Sequence, residues 1–387
     1  MLFGYYQVSP HPLNTSVASV ASLWTPPSCR AFEWVGSIAY FTRGLEARSL
    51  SQQVFELRAN GSSDFSAMGG CTISVIVRQG AVYVIPAKAP TGWTKIMVDY
   101  LLLASQTVAL PDAHFTLTCS DWPMLSRARA PGAVHLGMNS GDSTWDIPVP
   151  GHSHPNTTFL RTTPWASRAP KALWRGTLMC EAAELKRVDC STRCSRIQIR
   201  RAAAARPDLL DVRFTNLYMP VSPCIELLVK SLEEFNNSDV ARNNTLSFEA
   251  QATRSKFMIA SAGHSYASGY KAFLSSGAAV FRERTNFLEY FEPSLVPWRH
   301  YIPFDCRHSE TDCELIALVE ALRDSDSARL IGERAQAWAQ LHFTDLGRSC
   351  YWLQLLTALQ PFYEGGSGTL ENAVGRRLMP LALRYEG

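Results

Sequence analysis

Two stretches of the chain combine residue types able to move a proton and to hold an anion. Ser120-Asp121-Trp122-Pro123 follows residues 115–119, whose alternation of apolar and polar side chains reads as a strand. Asp121 then stands at the mouth of that strand, where a carboxylate can take the proton of a bound hydroxyl. An Asp ahead of a Pro can equally cap a turn, and the spacing leaves both roles open. The second stretch is the loop from Gly263 to Ser268. It lies between an alternating strand at residues 256–261 and a helical pattern over residues 266–276. In that pattern Tyr266, Tyr270, Phe273 and Leu274 share one face and Gly277 gives the stop. A turn from a strand end into a helix is where parallel sheets bind phosphate, because backbone N–H groups and the helix dipole point the same way.

Charge and cysteine usage narrow the chemistry. Between Arg161 and Arg206 eleven Lys and Arg stand against three Asp and Glu, while the whole chain carries only +3. Such a run suits a phosphate-facing surface or a solvated helix face. Neither a nucleic-acid-binding module nor an aromatic-basic repeat accompanies it, so nucleic acid is not the expected partner. Ten cysteines are more than an enzyme of a reducing compartment ordinarily keeps. Cys190 lies close to Cys194 and Cys306 close to Cys313, without a CxxC pair or a His at ligand spacing. Disulfides are therefore expected, and a metal site is not. Sequons for N-glycosylation begin at Asn14, Asn60, Asn156, Asn236 and Asn243. His152 and His154 read as an exposed loop.

The elements that must position these residues follow from periodicity. A chain of 387 residues is long enough for two domains. No apolar run reaches the roughly 18 residues of a membrane helix, so no transmembrane segment is expected. The opening residues lack a basic, then apolar, leader pattern, and residues 1–50 read as an irregular lead-in. Strands are expected at 54–58, 71–77 and 81–85, with Gln79-Gly80 as a hairpin turn, and a helix at 93–104. A Thr- and Pro-rich linker falls near 155–170. Beyond it come helix 195–205, strand 209–215 and helix 225–235. The strand at 256–261 and its helix lead to strands at 278–281 and 300–302, with a short helix through Leu288 and Phe291 between them. This is the spacing of a parallel crossover unit. Amphipathic helices at 313–323 and 326–342 follow.

The boxes around these elements resemble glycosyltransferase family 90, which contains the protein O-glucosyltransferases and the fungal capsule-associated xylosyltransferases. Lys256-Phe257, Gly263, Lys271, Gly277-Ala278-Ala279-Val280 and Glu289-Tyr290-Phe291 carry the resemblance, together with Pro297-Trp298-Arg299-His300-Tyr301-Ile302-Pro303, the most specific box. Upstream, Asp121-Trp122-Pro123 is similar to the family's Asp-aromatic-Pro motif, and Trp174-Arg175-Gly176 to its Trp-Arg-Gly box. Cys350-Tyr351-Trp352 resembles its C-terminal helix. The likeness spans about residues 115 to 363.

The resemblance implies an α/β GT-B architecture, two Rossmann-like domains facing across a cleft. An N-terminal acceptor-side domain would cover residues 51–160 and a C-terminal nucleotide-sugar domain residues 165–345, with a helix and tail at 346–387. It implies inverting, metal-independent transfer of a sugar, glucose or xylose, from a UDP-sugar to a hydroxyl of a protein or glycan. The setting would be the endoplasmic reticulum or Golgi lumen, or outside the cell. Asp121 would be the base. Trp174, Arg175, Gly176, Gly263, Ser268 and Lys271 would face the sugar nucleotide, the Arg175 fork holding two phosphate oxygens. Arg196 falls near a basic position of the animal members. Glu289 would accept from ribose hydroxyls, or else lie on a helix surface. Two departures stand out: Gly269 where many members place an Arg, and Leu178 where some have another. They keep a second reading open, a catalytically weakened relative that binds a glycan or a protein.

Overall fold

Two sheets organise the computed structural model, which describes residues 29–32, 34–43, 48–49, 73–85, 92–118, 120–121, 123, 134–142, 144, 146–151, 163–180, 194–217, 244–306, 313–364 and 379–380. The first sheet is mixed. It contains β1 (Ile73–Arg78), β2 (Ala81–Ile85), β3 (Ala113–Leu117), β4 (His135–Gly137) and β5 (Ile147–Pro148), ordered β2-β1-β3-β4-β5, with Met379–Pro380 paired outside β2. β1 and β2 form the expected hairpin. Gln79 and Gly80 take φ of 49° and 78°, the left-handed pair a two-residue primed turn requires. β3 runs antiparallel to β1, whereas β3, β4 and β5 are mutually parallel.

All five strands of the second sheet are parallel. β6 (Ala169–Leu178), β7 (Leu210–Leu217), β8 (Ser255–Ala260), β9 (Ala279–Glu283) and β10 (Ile302–Phe304) lie in the order β10-β9-β8-β6-β7. A parallel sheet must be covered on both faces, and the period of two along its strands provides for this. Phe257, Ile259 and Phe281 pack with Ile197 and Leu315 on one face, while Met258, Ala260 and Val280 join Leu274 and Ala335 on the other.

Eight helices clothe the sheets among the described residues: α1 (Val35–Thr42), α2 (Gly92–Thr107), α3 (Ser195–Ala205), α4 (Phe248–Arg254), α5 (Tyr270–Leu274), α6 (Glu314–Leu322), α7 (Asp326–His342) and α8 (Asp345–Leu359). Caps set their starts. Ser325 accepts from Ser327 N ahead of α7, and Thr344 from Gly347 N ahead of α8. An Asp in each first turn complements the dipole. α8 returns to the first sheet: Tyr351 donates to Pro148 O at 2.6 Å, and a disulfide joins Cys350 to Cys29. Trp34 Nε1 donates to Gly347 O at 2.9 Å. A short ribbon, Phe287–Leu288 antiparallel to Ser140–Gly141, also links the chain segments of the two sheets.

Two expectations are corrected. The helix expected over 266–276 is confined to α5, the residues before it forming turns of the loop. The short helix through Leu288 and Phe291 is instead the ribbon strand followed by a 3-10 turn, Glu292–Ser294, with Pro293 near its start. The disulfides, whose pairing the sequence leaves open, join Cys194 to Cys180 and Cys306 to Cys313. The strand at 54–58, the helix at 225–235, Trp122, His152, His154, Cys190 and the asparagines that open the five sequons lie outside the described residues. Among the described residues, no helix is long and apolar enough to cross a membrane.

Candidate active site

A cavity of about 380 Å³ opens between the C-terminal end of the parallel sheet and the segment that follows β3. That is within the range of small-molecule sites. Asp121 and Trp93, at the start of α2, line it from the side of the first sheet. Opposite them are Arg196 and the loop leaving β8. A second recess, beside the ribbon, has a volume of only about 10 Å³, room for about one water.

The loop is held from below by a buried carboxylate. Glu283, the last residue of β9, accepts from Ser261 Oγ at 2.8 Å and from Ala262 N at 2.9 Å through the same oxygen. Arg196 grips the loop from the side. Its Nη2 donates to Ser261 O at 3.1 Å and its Nη1 to Thr177 O at 2.7 Å. The guanidinium carbon lies 5.2 Å from the Trp174 ring centroid, a cation–π contact. Gly263 makes the approach possible, since a Cβ there would lie 2.9 Å from Arg196 Nη2. Burial lowers the Arg196 pKa to about 10, opposed by the charges of Glu283 and Asp121, so the side chain stays cationic at neutral pH. Its Nε is buried without a hydrogen-bond partner among the described residues, an orphan donor in the wall of a cavity.

Asp121 meets the loop in the wall of the cavity. Ser265 Oγ donates to Asp121 Oδ1 at 3.2 Å, and Asn139 Nδ2 donates to the Asp121 carbonyl at 2.9 Å. The Asp121 side chain is exposed towards the opening, yet the surrounding protein withdraws it from bulk water. That desolvation raises its pKa; the Ser265 hydrogen bond and the charges of His264 and Arg196 act the other way. The raised value favours a proton acceptor over a spectator anion.

The structure gathers Asp121, Trp174, Arg175, Gly176, Arg196, Gly263 and Ser268 around the cavity, but not Lys271 or Glu289. Lys271 Nζ pairs with Glu289 Oε1 at 2.6 Å, both side chains nearly sealed. Glu289 is thus neither a cavity residue nor on a helix surface. Arg175 also differs from expectation. Its Nη2 donates to both oxygens of Asp211 at 2.8 Å, and Nη1 to the carbonyls of Trp174 and Asp211. The fork expected to take two phosphate oxygens takes two carboxylate oxygens of the neighbouring strand. Gly176 is fixed by packing, because a Cβ would fall 2.5 Å from the Trp174 ring.

Of the basic run, Arg168 supports Thr163 O and Ser276 O, Lys171 reaches Pro207 O, and Arg206 pairs with Asp208 and Glu320. Arg196 is the member that grips the loop. At Gly269 a Cβ would lie 3.1 Å from both Phe248 and Phe273, whose rings meet edge to face at 5.7 Å. Aromatic packing fills the place from which an arginine would start. Glu283 and Ser265 escape sequence reading. The one available signal is the charged pair Arg282-Glu283 ending an otherwise apolar strand.

Comparison with known proteins bears on this arrangement. The description "Glycosyl transferase family 90" matches residues 156–363, more than half of the 387-residue chain. An "O-glucosyltransferase rumi homolog" of Anopheles gambiae is 26% identical over 271 residues, 64% of this chain and 61% of its own length. "Protein O-glucosyltransferase 2" of Danio rerio is 24% identical over 297 residues, 72% and 53% respectively. "Protein O-glucosyltransferase 1" of Homo sapiens is 34% identical over a shorter 93 residues, 24% and 23%. The chain thus spans about three-fifths of the length of the first of these relatives. The family match covers the parallel sheet, Arg196 and the loop after β8, which line the cavity, and also α6 to α8. The chain belongs to glycosyl transferase family 90.

Proposed function

We propose that the protein is an inverting, metal-independent glycosyltransferase that moves a sugar, glucose or xylose, from a UDP-sugar to a hydroxyl of a protein or glycan. The observation that carries this reading is the pairing across one cavity of a carboxylate of raised pKa, Asp121, with a buried cation and loop, Arg196 and Gly263 to Ser268. In this reading the two sheets belong to the acceptor-side and donor-side halves of a GT-B fold, residues 51–160 and 165–345, with residues 346–387 as a C-terminal helix and tail. The relatives named as O-glucosyltransferases support it.

Asp121 takes the proton from the acceptor hydroxyl. The acceptor oxygen attacks the anomeric carbon from the face opposite the diphosphate, and the anomeric C–O bond breaks with its electron pair leaving on the diphosphate. Arg196 and the backbone N–H groups of the loop stabilise that charge. Trp174 fixes Arg196, and Gly263 and Ser268 border the diphosphate. Asp121 then releases its proton to solvent. The disulfides suit an oxidising setting, the endoplasmic reticulum or Golgi lumen or the cell exterior.

Release of UDP from a panel of UDP-sugars by purified protein tests the reading. The expected result is turnover of one donor that falls at least about a hundredfold in Asp121→Asn. Failure of well-folded protein to bind any UDP-sugar would instead favour a weakened relative that binds a glycan or protein, the alternative to which the aromatic packing at Gly269 and the Arg175–Asp211 pair point.

A further inference from the structure

We propose that Ser265 is the positioning residue for Asp121, holding the carboxylate in line with the donor site by a hydrogen bond made in the wall of the cavity. The inference rests on Asp121 being the base and adds to that reading the group that aims it. Ser265 is 1% exposed, so its hydroxyl is committed inward, and its Oγ donates to Asp121 Oδ1 at 3.2 Å. The partners are 144 residues apart in sequence. Asp121 follows β3 of the mixed sheet, whereas Ser265 lies in the loop leaving β8 of the parallel sheet.

The Asp121 backbone is held separately by Asn139, within its own half of the molecule. Ser265 therefore sets the side-chain torsion rather than the position of the turn. With Oδ1 engaged, Oδ2 is the oxygen that takes the acceptor proton. The loop carrying Ser265 is the one tethered by Glu283 and Arg196, so base and diphosphate cradle move as one unit. Three other groups bear on Asp121: Arg196 from α3, His264 from the loop, and the buried Tyr266 hydroxyl, which donates to Met138 Sδ at 3.8 Å.

The sign of the pH effect follows from the hydrogen bond. Ser265 stabilises the charged carboxylate and lowers its pKa; without it the pKa rises further. Ser265→Ala should lower kcat by about ten- to a hundredfold, leave UDP affinity within about twofold, and move the acid limb of kcat/KM to higher pH. Ser265→Thr, which keeps the hydroxyl, should restore both. The carboxyl carbon NMR titration of Asp121, which needs no turnover, should move in the same direction in Ser265→Ala. Loss of UDP binding together with kcat in Ser265→Ala would make the residue structural and overturn the inference. An inactive Asp121→Asn beside an unshifted acid limb and carboxyl titration in Ser265→Ala overturns this inference alone. Full activity in Asp121→Asn overturns the base assignment and this inference with it.

Discussion

Lys271 Nζ and Glu289 Oε1 meet at 2.6 Å behind the wall of the cavity, with 10% and 2% of their side chains exposed. Removing one member of a buried pair strands the other charge, at a cost of about 3–5 kcal/mol, whereas replacing both with apolar groups of similar volume is often neutral. Lys271→Ala is therefore expected to lower stability to chemical denaturation by that amount. The double variant Lys271→Met/Glu289→Leu should regain most of it and bind UDP as the parent does. Loss of UDP affinity in the well-folded double variant would return Lys271 to the nucleotide site.

The same pair gives stability a pH dependence. Burial raises the Glu289 pKa to about 7 against the opposing pull of Lys271. Its folded pKa thus lies above the ordinary carboxylate value near 4.5. The stability this group contributes is fully present below about 4.5 and lost as pH rises through about 7. Unfolding free energies of parent and Glu289→Gln, measured from pH 4 to 8, should show a difference that changes across that window and is flat outside it. A constant difference would mean that Glu289 titrates normally.

What could be read from sequence here was local. The strand–helix–strand spacing of β8, α5 and β9 marks a parallel crossover unit, Gly277 adopts the left-handed φ of 71° that a stop after α5 uses, and Asp326 and His342 bound α7 as expected. The misses share a physical cause, a partner distant in sequence. Arg175 is taken by Asp211 across the β6–β7 boundary. Leu288 has the spacing of a helix but pairs with Ser140. The sequence puts Arg175 forward as the diphosphate ligand and Arg196 only as lying near a basic position. Only the fold shows that Arg175 is hydrogen-bonded to a carboxylate, whereas Arg196 bonds to backbone carbonyls.

That difference separates the two arginines experimentally. Arg196→Ala removes a cation beside the proposed diphosphate site and is expected to weaken UDP binding about ten- to a hundredfold, the equivalent of about 1.5–3 kcal/mol. Arg175→Ala breaks the bonds to Asp211 and should act mainly on stability, by about 1.5–3 kcal/mol, with UDP affinity close to the parent. Calorimetric titration with UDP and denaturant melts of the two variants check this. The reverse pattern would assign the diphosphate to Arg175.

The Cys180–Cys194 disulfide links stability to the site. It closes a loop of 14 residues, for which the loop-entropy relation gives about 3 kcal/mol. Cys194 is also the residue from which α3 starts, and Arg196 is in the first turn of that helix. Replacing both cysteines with alanine should therefore lower stability by about that amount and weaken UDP binding, as the first turn of α3 loses its anchor. The Cys306–Cys313 bond closes 7 residues between β10 and α6, outside the cavity lining, and its removal should cost about 2 kcal/mol without changing UDP affinity. Two melts and two UDP titrations separate the cases. If UDP affinity fell equally in both variants, the effect would come from general loosening of the parallel sheet, and the disulfide at the start of α3 would have no particular part in placing Arg196.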